Sequence, residues 1–269
     1  MATPGSRKRI EGFIAANDID TSELDRDLAD FSNLNEFFAR PLRAGARPIA
    51  EAGDAQVVVS PSDGRVRCFR SIGRGDAVAV KGHRYDVGAM LGVRVDAAEE
   101  GVTVAHGANR FRAFHDRHAP TGFSIAVCRL TMADYHRVHS PVDGSWDTTA
   151  IRNLPGEYHS TAPAAVQSAI DVFGRNRRVA MLVDTEAFGE IAVVIVGAAM
   201  IASIEITTAP GAIAKGDEIG LFQHGGSTVI AIFGADQIEF DRDLIEQSEL
   251  GNETLIRMGD SLGRLKLQP

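Results

Sequence analysis

The chain has 269 residues, with 28 lysines and arginines against 36 aspartates and glutamates and a formal net charge of −8. Its 44% apolar and 24% charged composition is that of a folded globular protein and excludes a disordered one. The acidic balance excludes a broad basic face for nucleic acid and bulk attraction to an anionic membrane, leaving only a local basic patch for the latter.

The opening residues, MATPGSRKRIEGF, lack the apolar core of a signal peptide. Residues 1–50 read as a helical segment: Ile10, Phe13 and Ile14 recur at helical spacing, and so do Leu24, Leu28 and Phe31. Ser32 or Asn33 is placed to cap a short helix over Leu34–Phe38, which Pro41 ends. Arg43 to Pro48 reads as an exposed linker.

Residues 51–269 read as one β-rich domain. The runs VVVSPSDGRV, AVAVKG, FSIAVCRL, RVAMLVD, IAVVIVG, IASIEITT and STVIAIF are separated by Gly, Pro and Asp, the texture of a sandwich or barrel. The longest apolar run, Ile191 to Ala202, is too short to cross a bilayer and reads as a buried strand pair. Helical patterns are few there: Ala164 to Val172 after Pro163, and Asp241 to Leu250. The expected fold is therefore mainly β (α+β), barrel-sandwich-like, with N-terminal helices. Cys68 and Cys128 form no CxxC and no Cys/His cluster, so a reducing compartment and no structural zinc are expected.

Ser60-Pro61-Ser62-Asp63-Gly64 returns as Ser140-Pro141-Val142-Asp143-Gly144. Each is a turn signal between strands, and the pair fits either two unrelated hairpins or a duplication. Just before the second lies Tyr135-His136-Arg137-Val138-His139. On a helix these histidines share a face, as acid/base groups or a metal pair; on a strand they point to opposite faces. The metal pair lacks a third ligand nearby, so no metal is expected. A structural or surface role is the ordinary alternative for either ring.

Gly225-Gly226-Ser227-Thr228 frees the backbone before a serine. Alone it reads as a hairpin turn, and it lacks the lysine and the strand–helix context of a phosphate loop. With chemistry attached it can do more. A serine hydroxyl after a flexible glycine can attack the preceding carbonyl and turn the peptide into an ester. Elimination then leaves dehydroalanine, which hydrolyses to a pyruvoyl group and ammonia. The step needs a base, ideally a histidine oriented by a carboxylate. Spacing alone does not assign those partners.

Together these motifs resemble the phosphatidylserine decarboxylase family, from about Leu34 to Phe240. The likeness rests on NEFFARPLRAGARPI (35–49), VVSPSDGRV (58–66), VKGHRYDVGAMLG (80–92), LTMADYHRVHSPVDG (130–144), LPGEYHSTAP (154–163), VVIVGAAMIASI (193–204) and KGDEIGLFQHGGSTVIAIF (215–233). The chain departs from the family pattern at Ser160-Thr161-Ala162-Pro163 (usually SVNP), Asn176-Arg177-Arg178-Val179 (usually Asn-Glu-Arg-Val) and Ala202 (usually Gly).

The resemblance implies a proenzyme cut between Gly226 and Ser227 into a β chain, residues 1–226, and an α chain, residues 227–269. Ser227 would become the pyruvoyl cofactor. Asp63 and His139 would complete a triad with Ser227, Asp63 orienting the ring and His139 taking the serine proton. His136 would serve the decarboxylation step, in which the pyruvoyl carbonyl takes up the substrate amine and the electrons left by CO₂. The implied substrate is phosphatidylserine and the product phosphatidylethanolamine. The implied location is the cytoplasmic side of the membrane, peripherally, or the cytoplasm, and a homodimer is one assembly the family admits. Arg7, Lys8 and Arg9 beside Ile10, Phe13 and Ile14 offer a peripheral membrane contact, the alternative being a helix packed on the β domain. Two other readings stay open: a soluble pyruvoyl decarboxylase of a free amino acid, and an uncut β-barrel binding module.

Overall fold

The computed structural model describes residues 4–72, 78–80, 83–93, 108–198, 203–223, 225, 227–235 and 237–267. After a 3-10 stretch, Pro4–Arg9, the N-terminal segment carries α1 (Ile10–Asn17) and α2 (Leu34–Phe38). Asn33 caps α2, its Oδ1 accepting the Glu36 N–H at 2.9 Å. Ile10, Phe31, Leu34 and Phe37 form a small buried cluster, edged by Phe13, Ile14, Leu24 and Leu28. The helix expected through Leu24, Leu28 and Phe31 is reduced to a 3-10 turn, Leu28–Asp30. Asp20 instead accepts the Ser22 N–H at 2.8 Å, and Leu24 bridges to Leu42. Local side-chain bonds override the helical spacing there while the same leucines stay packed.

Short antiparallel strands dominate the rest. β1 (Val57–Val59), β2 (Gly64–Ile72), β3 (Val78–Val80) and β4 (His83–Tyr85) precede α3 (Val87–Met90) and α4 (Ala108–His118). β5 (Phe123–Leu130), β6 (Arg137–His139), β7 (Gly144–Trp146) and β8 (Ile151–Leu154) follow, then α5 (Pro163–Val166) and α6 (Val172–Arg175). The helix expected over Ala164–Val172 is thus split, because Asp171 restarts it by accepting the Gly174 N–H at 3.1 Å. β9 (Arg178–Thr185), β10 (Gly189–Gly197), β11 (Ile204–Ile206), β12 (Gly211–Ile213), β13 (Glu218–Phe222), β14 (Ser227–Gly234) and β15 (Ile238–Phe240) lead to α7 (Arg242–Leu250). β16 (Thr254–Ile256) and β17 (Ser261–Leu265) come last.

The largest sheet runs β12-β7-β9-β10-β14-β5-β2-β16, with β8 also on β9. β10 and β14 lie at its centre and are buried almost throughout, which is why their sequences are unbroken apolar runs without alternation. Among the described residues, two three-stranded sheets, β1-β17-β15 and β11-β13-β6, and the antiparallel pair β3-β4 complete the set. The chain is mainly β with N-terminal helices. The sheets stay open: the large one ends in the three-residue edge strands β12 and β16, and among the described residues none closes into a barrel.

The two Ser-Pro-x-Asp-Gly turns are the visible part of an internal repeat. Ser60 Oγ donates to Ser62 O at 2.8 Å, and Ser140 Oγ to Val142 O at 2.7 Å. Asp63 Oδ1 accepts the Met258 N–H and Asp143 Oδ1 the Lys215 N–H, both at 2.8 Å. The backbone bonds between the turns are reciprocal: Val59 N–H to Pro141 O at 3.0 Å, and His139 N–H to Pro61 O at 2.8 Å. Gly64 then pairs with Ile256, and Gly144 with Ile213, within two matching Ile-x-x-Gly-Asp-x-x-Gly stretches, 256–263 and 213–220. The order of the large sheet reads the same from both ends when β12, β7, β9 and β10 are matched to β16, β2, β5 and β14. In this repeat Val59, opposite Ser261, holds the place that His139 holds opposite Glu218. Gly189, opposite Thr185, holds the place that Ser227 holds opposite Leu130.

Candidate active site

The departures of one half from that shared framework collect around the head of β14. Ser227 is fully buried there, hydrogen-bonded into the ladder between Gly197 of β10 and Leu130 of β5. Gly225, two residues earlier, has φ 112°, a left-handed conformation that a side chain would strain. Gly226, the expected cleavage partner, lies outside the described residues.

β6 carries one of the two histidines and follows directly on the other, so they point to opposite faces. His136 is fully buried, stacked on Phe38 with ring centroids 3.8 Å apart and met edge-on by Phe222 at 6.3 Å. Its Nε2 lies 2.9 Å from Thr131 O, and a carbonyl only accepts, so Nε2 carries the hydrogen. In the neutral ring this leaves the Nδ1 lone pair facing Ser227 Oγ at 3.1 Å, and the hydroxyl donates to it. A nucleophile and a base within hydrogen-bond reach, with the base oriented by a third group, is the arrangement of an activated serine.

His139 is turned the other way. Its Nδ1–H donates to Gly216 O at 2.8 Å, and the Tyr135 hydroxyl donates to its Nε2 at 3.1 Å. Burial lowers the pKa of His139, offset in part by the Gly216 bond and the charges of Glu218 and Asp63. Burial raises that of Tyr135, which keeps the phenol protonated and able to donate. Asp63 is buried nearby, but its carboxylate is held by Arg47: Nε to Oδ1 at 2.9 Å and Nη2 to Oδ2 at 2.6 Å. Arg47 Nη1 also donates to Glu23 at 2.9 Å. Asp63 thus acts on His139 through space, with no hydrogen bond between them. The structure brings Ser227 and His136 together and sets Asp63 and His139 in an adjoining network.

Three of these partners were not singled out in the sequence. Arg47 lies in the segment expected to be an exposed linker, yet its side chain is 8% exposed. Tyr135 stands four before His139, a spacing that carries no signal off a helix. Arg40 is buried over the Phe37 ring and donates from Nη2 to Ala133 O at 2.7 Å and Asp134 O at 3.2 Å. It thereby pins the turn whose Thr131 carbonyl orients His136.

Comparison with known proteins adds an independent line. The model of the phosphatidylserine decarboxylase family matches residues 34–264. Phosphatidylserine decarboxylase proenzyme 3 of Schizosaccharomyces pombe is 36% identical over 268 residues, 99% of this chain and 25% of its own length. The proenzyme of Chlamydia caviae is 37% identical over 260 residues, covering 96% of this chain and 79% of the relative. That of Fusobacterium nucleatum is 32% identical over 270 residues, covering 99% and 81%. The chain spans about a quarter of the fission-yeast protein and about four fifths of the two bacterial ones. The chain belongs to the phosphatidylserine decarboxylase family.

Proposed function

We propose that the protein is a pyruvoyl-dependent carboxy-lyase that converts phosphatidylserine to phosphatidylethanolamine and CO₂ after cutting itself between Gly226 and Ser227. The observation that carries the proposal is the buried Ser227 hydroxyl facing the lone pair of His136 at the head of the central strand. In the cut, Ser227 Oγ bonds to the Gly226 carbonyl carbon and the C–N bond breaks, its nitrogen taking a proton. Elimination releases the Gly226 carboxylate, and water hydrolyses the remaining dehydroalanine with loss of ammonia. The resulting pyruvoyl carbonyl supplies the electron sink for loss of CO₂.

The chain's own residues fit that group. Phe38 and Phe222 pack against the His136 ring, which with the full burial of Ser227 shields the reacting position from bulk solvent. His136 takes the Ser227 proton and afterwards remains beside the same position, placed to return a proton to substrate carbon. A second reading gives the Ser227 proton to His139. It is favoured by the charge of Asp63 acting on that ring and by the bond from the His139 N–H to Pro61 O, in the turn that carries Asp63. Segment 1–50 serves the catalytic unit 51–269, since Phe38 and Arg47 reach its site. No helix among the described residues is long and apolar enough to cross a membrane.

The test is the denatured mass of the purified protein together with turnover of phosphatidylserine vesicles. Two chains split after Gly226, the smaller lacking one ammonia, with CO₂ released from the lipid, are expected. A single full-length chain without turnover would overturn the proposal. A split chain that acts only on a free amino acid would overturn its substrate.

A further inference from the structure

We propose that Arg177 is the anchor for the phosphodiester of the substrate, and so a determinant of headgroup recognition; this rests on the decarboxylase reading above. The argument begins with the register around Ser227. Ser227 stands opposite Gly197 across β14 and β10, and the Gly197 N–H donates to Arg177 O at 3.0 Å on the far side. One step deeper in the sheet, Val196 pairs with Arg178. Ser227, Gly197 and Arg177 therefore form one row across three strands, and residues of such a row share a face. The middle member has no side chain to stand between the other two.

Two strand spacings separate Ser227 from Arg177, about 9.6 Å. In a serine phosphodiester four bonds separate the amine from phosphorus, about 5 Å at ordinary bond lengths. For a headgroup laid along the row with its amine at residue 227, the phosphate would fall about half way, and an extended arginine side chain is long enough to cover the remainder.

The surroundings of Arg177 suit an anion. It is exposed and lines a groove of about 350 Å³ with Leu154, Pro155, Gly156 and Tyr158. Among the described residues no acidic side chain lines that groove, and the neighbouring Glu157 is already bound by Arg175 and His159. Arg178 adds a second positive charge at the groove, with its guanidinium bonded to the carbonyls of Ala89, Met90 and Asn176. Among the described residues no carboxylate pairs with Arg177. Asn176 fixes the groove wall to the catalytic row: its Oδ1 accepts the His159 N–H, and its Nδ2 donates to His159 O and Gly197 O at 2.8 and 2.9 Å. The family pattern has Glu at residue 177, so this anchor belongs to this chain and not to the pattern.

The test compares the mature wild type with Arg177→Gln and Arg177→Lys. Dihexanoylphosphatidylserine is the substrate, and calorimetry follows binding of dihexanoylphosphatidic acid, which has the phosphate without the amine. Arg177→Gln should cut itself normally, raise KM about tenfold with kcat nearly unchanged, and weaken phosphatidic acid binding by a like factor. Arg177→Lys should recover part of both. Unchanged KM and binding in Arg177→Gln, with an active wild type, would overturn the anchor. No lipid turnover by the wild type, with binding still lost in Arg177→Gln, would overturn the decarboxylase reading and leave the anion site standing. Equal competition by inorganic phosphate would show a free-phosphate site and overturn the assignment to the lipid.

Discussion

Nδ1 of His136 and Oγ of Ser227 lie 3.1 Å apart, whereas both ring nitrogens of His139 are engaged by Gly216 and Tyr135. The relationship separates the two histidines experimentally. Ser227→Ala should give one uncut chain. His136→Ala should slow the cut by about a hundredfold or more, as removal of a positioned base does. Time courses of chain splitting by denatured mass would decide it. Splitting at the normal rate in His136→Ala, with a block in His139→Ala, would transfer the base role to His139.

The Arg47–Asp63 pair is buried and bidentate. Removing one partner should cost about 3–5 kcal/mol, because the other charge is left without compensation. Arg47→Ala should therefore lower the urea midpoint more than the exposed pair variant Arg242→Ala, whose partner is Glu246 on α7. If Arg47→Met and Asp63→Asn combined recover most of the loss, the pair is structural glue. If stability returns but cutting remains slow, the Asp63 charge serves His139.

A pH dependence follows from burial of His139. Its native pKa is depressed below the ordinary 6.5. The unfolded chain therefore takes up the proton first as the pH falls. Stability is intact above 6.5 and is lost as the pH drops toward the lowered native value. His118, also lowered by burial, acts in the same direction. Urea midpoints between neutrality and about pH 5 should fall for the wild type and fall less for His139→Gln. Parallel slopes would assign the dependence to other groups.

Asn176 is fully buried and makes three hydrogen bonds to backbone groups. Asn176→Ala should destabilise by about 2–4 kcal/mol, because it strands three backbone partners. It should also loosen the 154–159 segment, seen as faster amide exchange there. Unaltered exchange in that segment would show that the strand pairing of β8 with β9 holds it unaided.

Much of this arrangement was legible in the sequence, for physical reasons. Asn33, Pro163 and Asp241 announce local geometry, and the β10 and β14 runs announce burial. The odd offset of His136 and His139 already implied opposite faces on a strand. What was hidden is what depends on distant pairing. Arg47 reads as solvent-exposed because nothing within sixteen residues reveals that Asp63 receives it. The leucines around residue 24 mimic a helix because burial, not helicity, sets their spacing. The repeat shows plainly in one pentapeptide because its other match, Ile-x-x-Gly-Asp-x-x-Gly at 213–220 and 256–263, is sparse, and the hydrogen bonds from Gly216 N–H to Ser140 O and from Gly259 N–H to Ser60 O are what align it.

The central position of β14 has a consequence for what a cut before Ser227 leaves behind. Residues 227–269 would hold β14 with β10 on one side and β5 on the other, β16 on β2, and β17 on β1. The scission would open the chain at one point and leave the ladders from Thr228 onward in place. The short fragment would therefore be laced through the long one like a thread through cloth, and neither could leave without the fabric coming apart. A protein cut there would have to be made in one piece: the weave must exist before the thread is snipped.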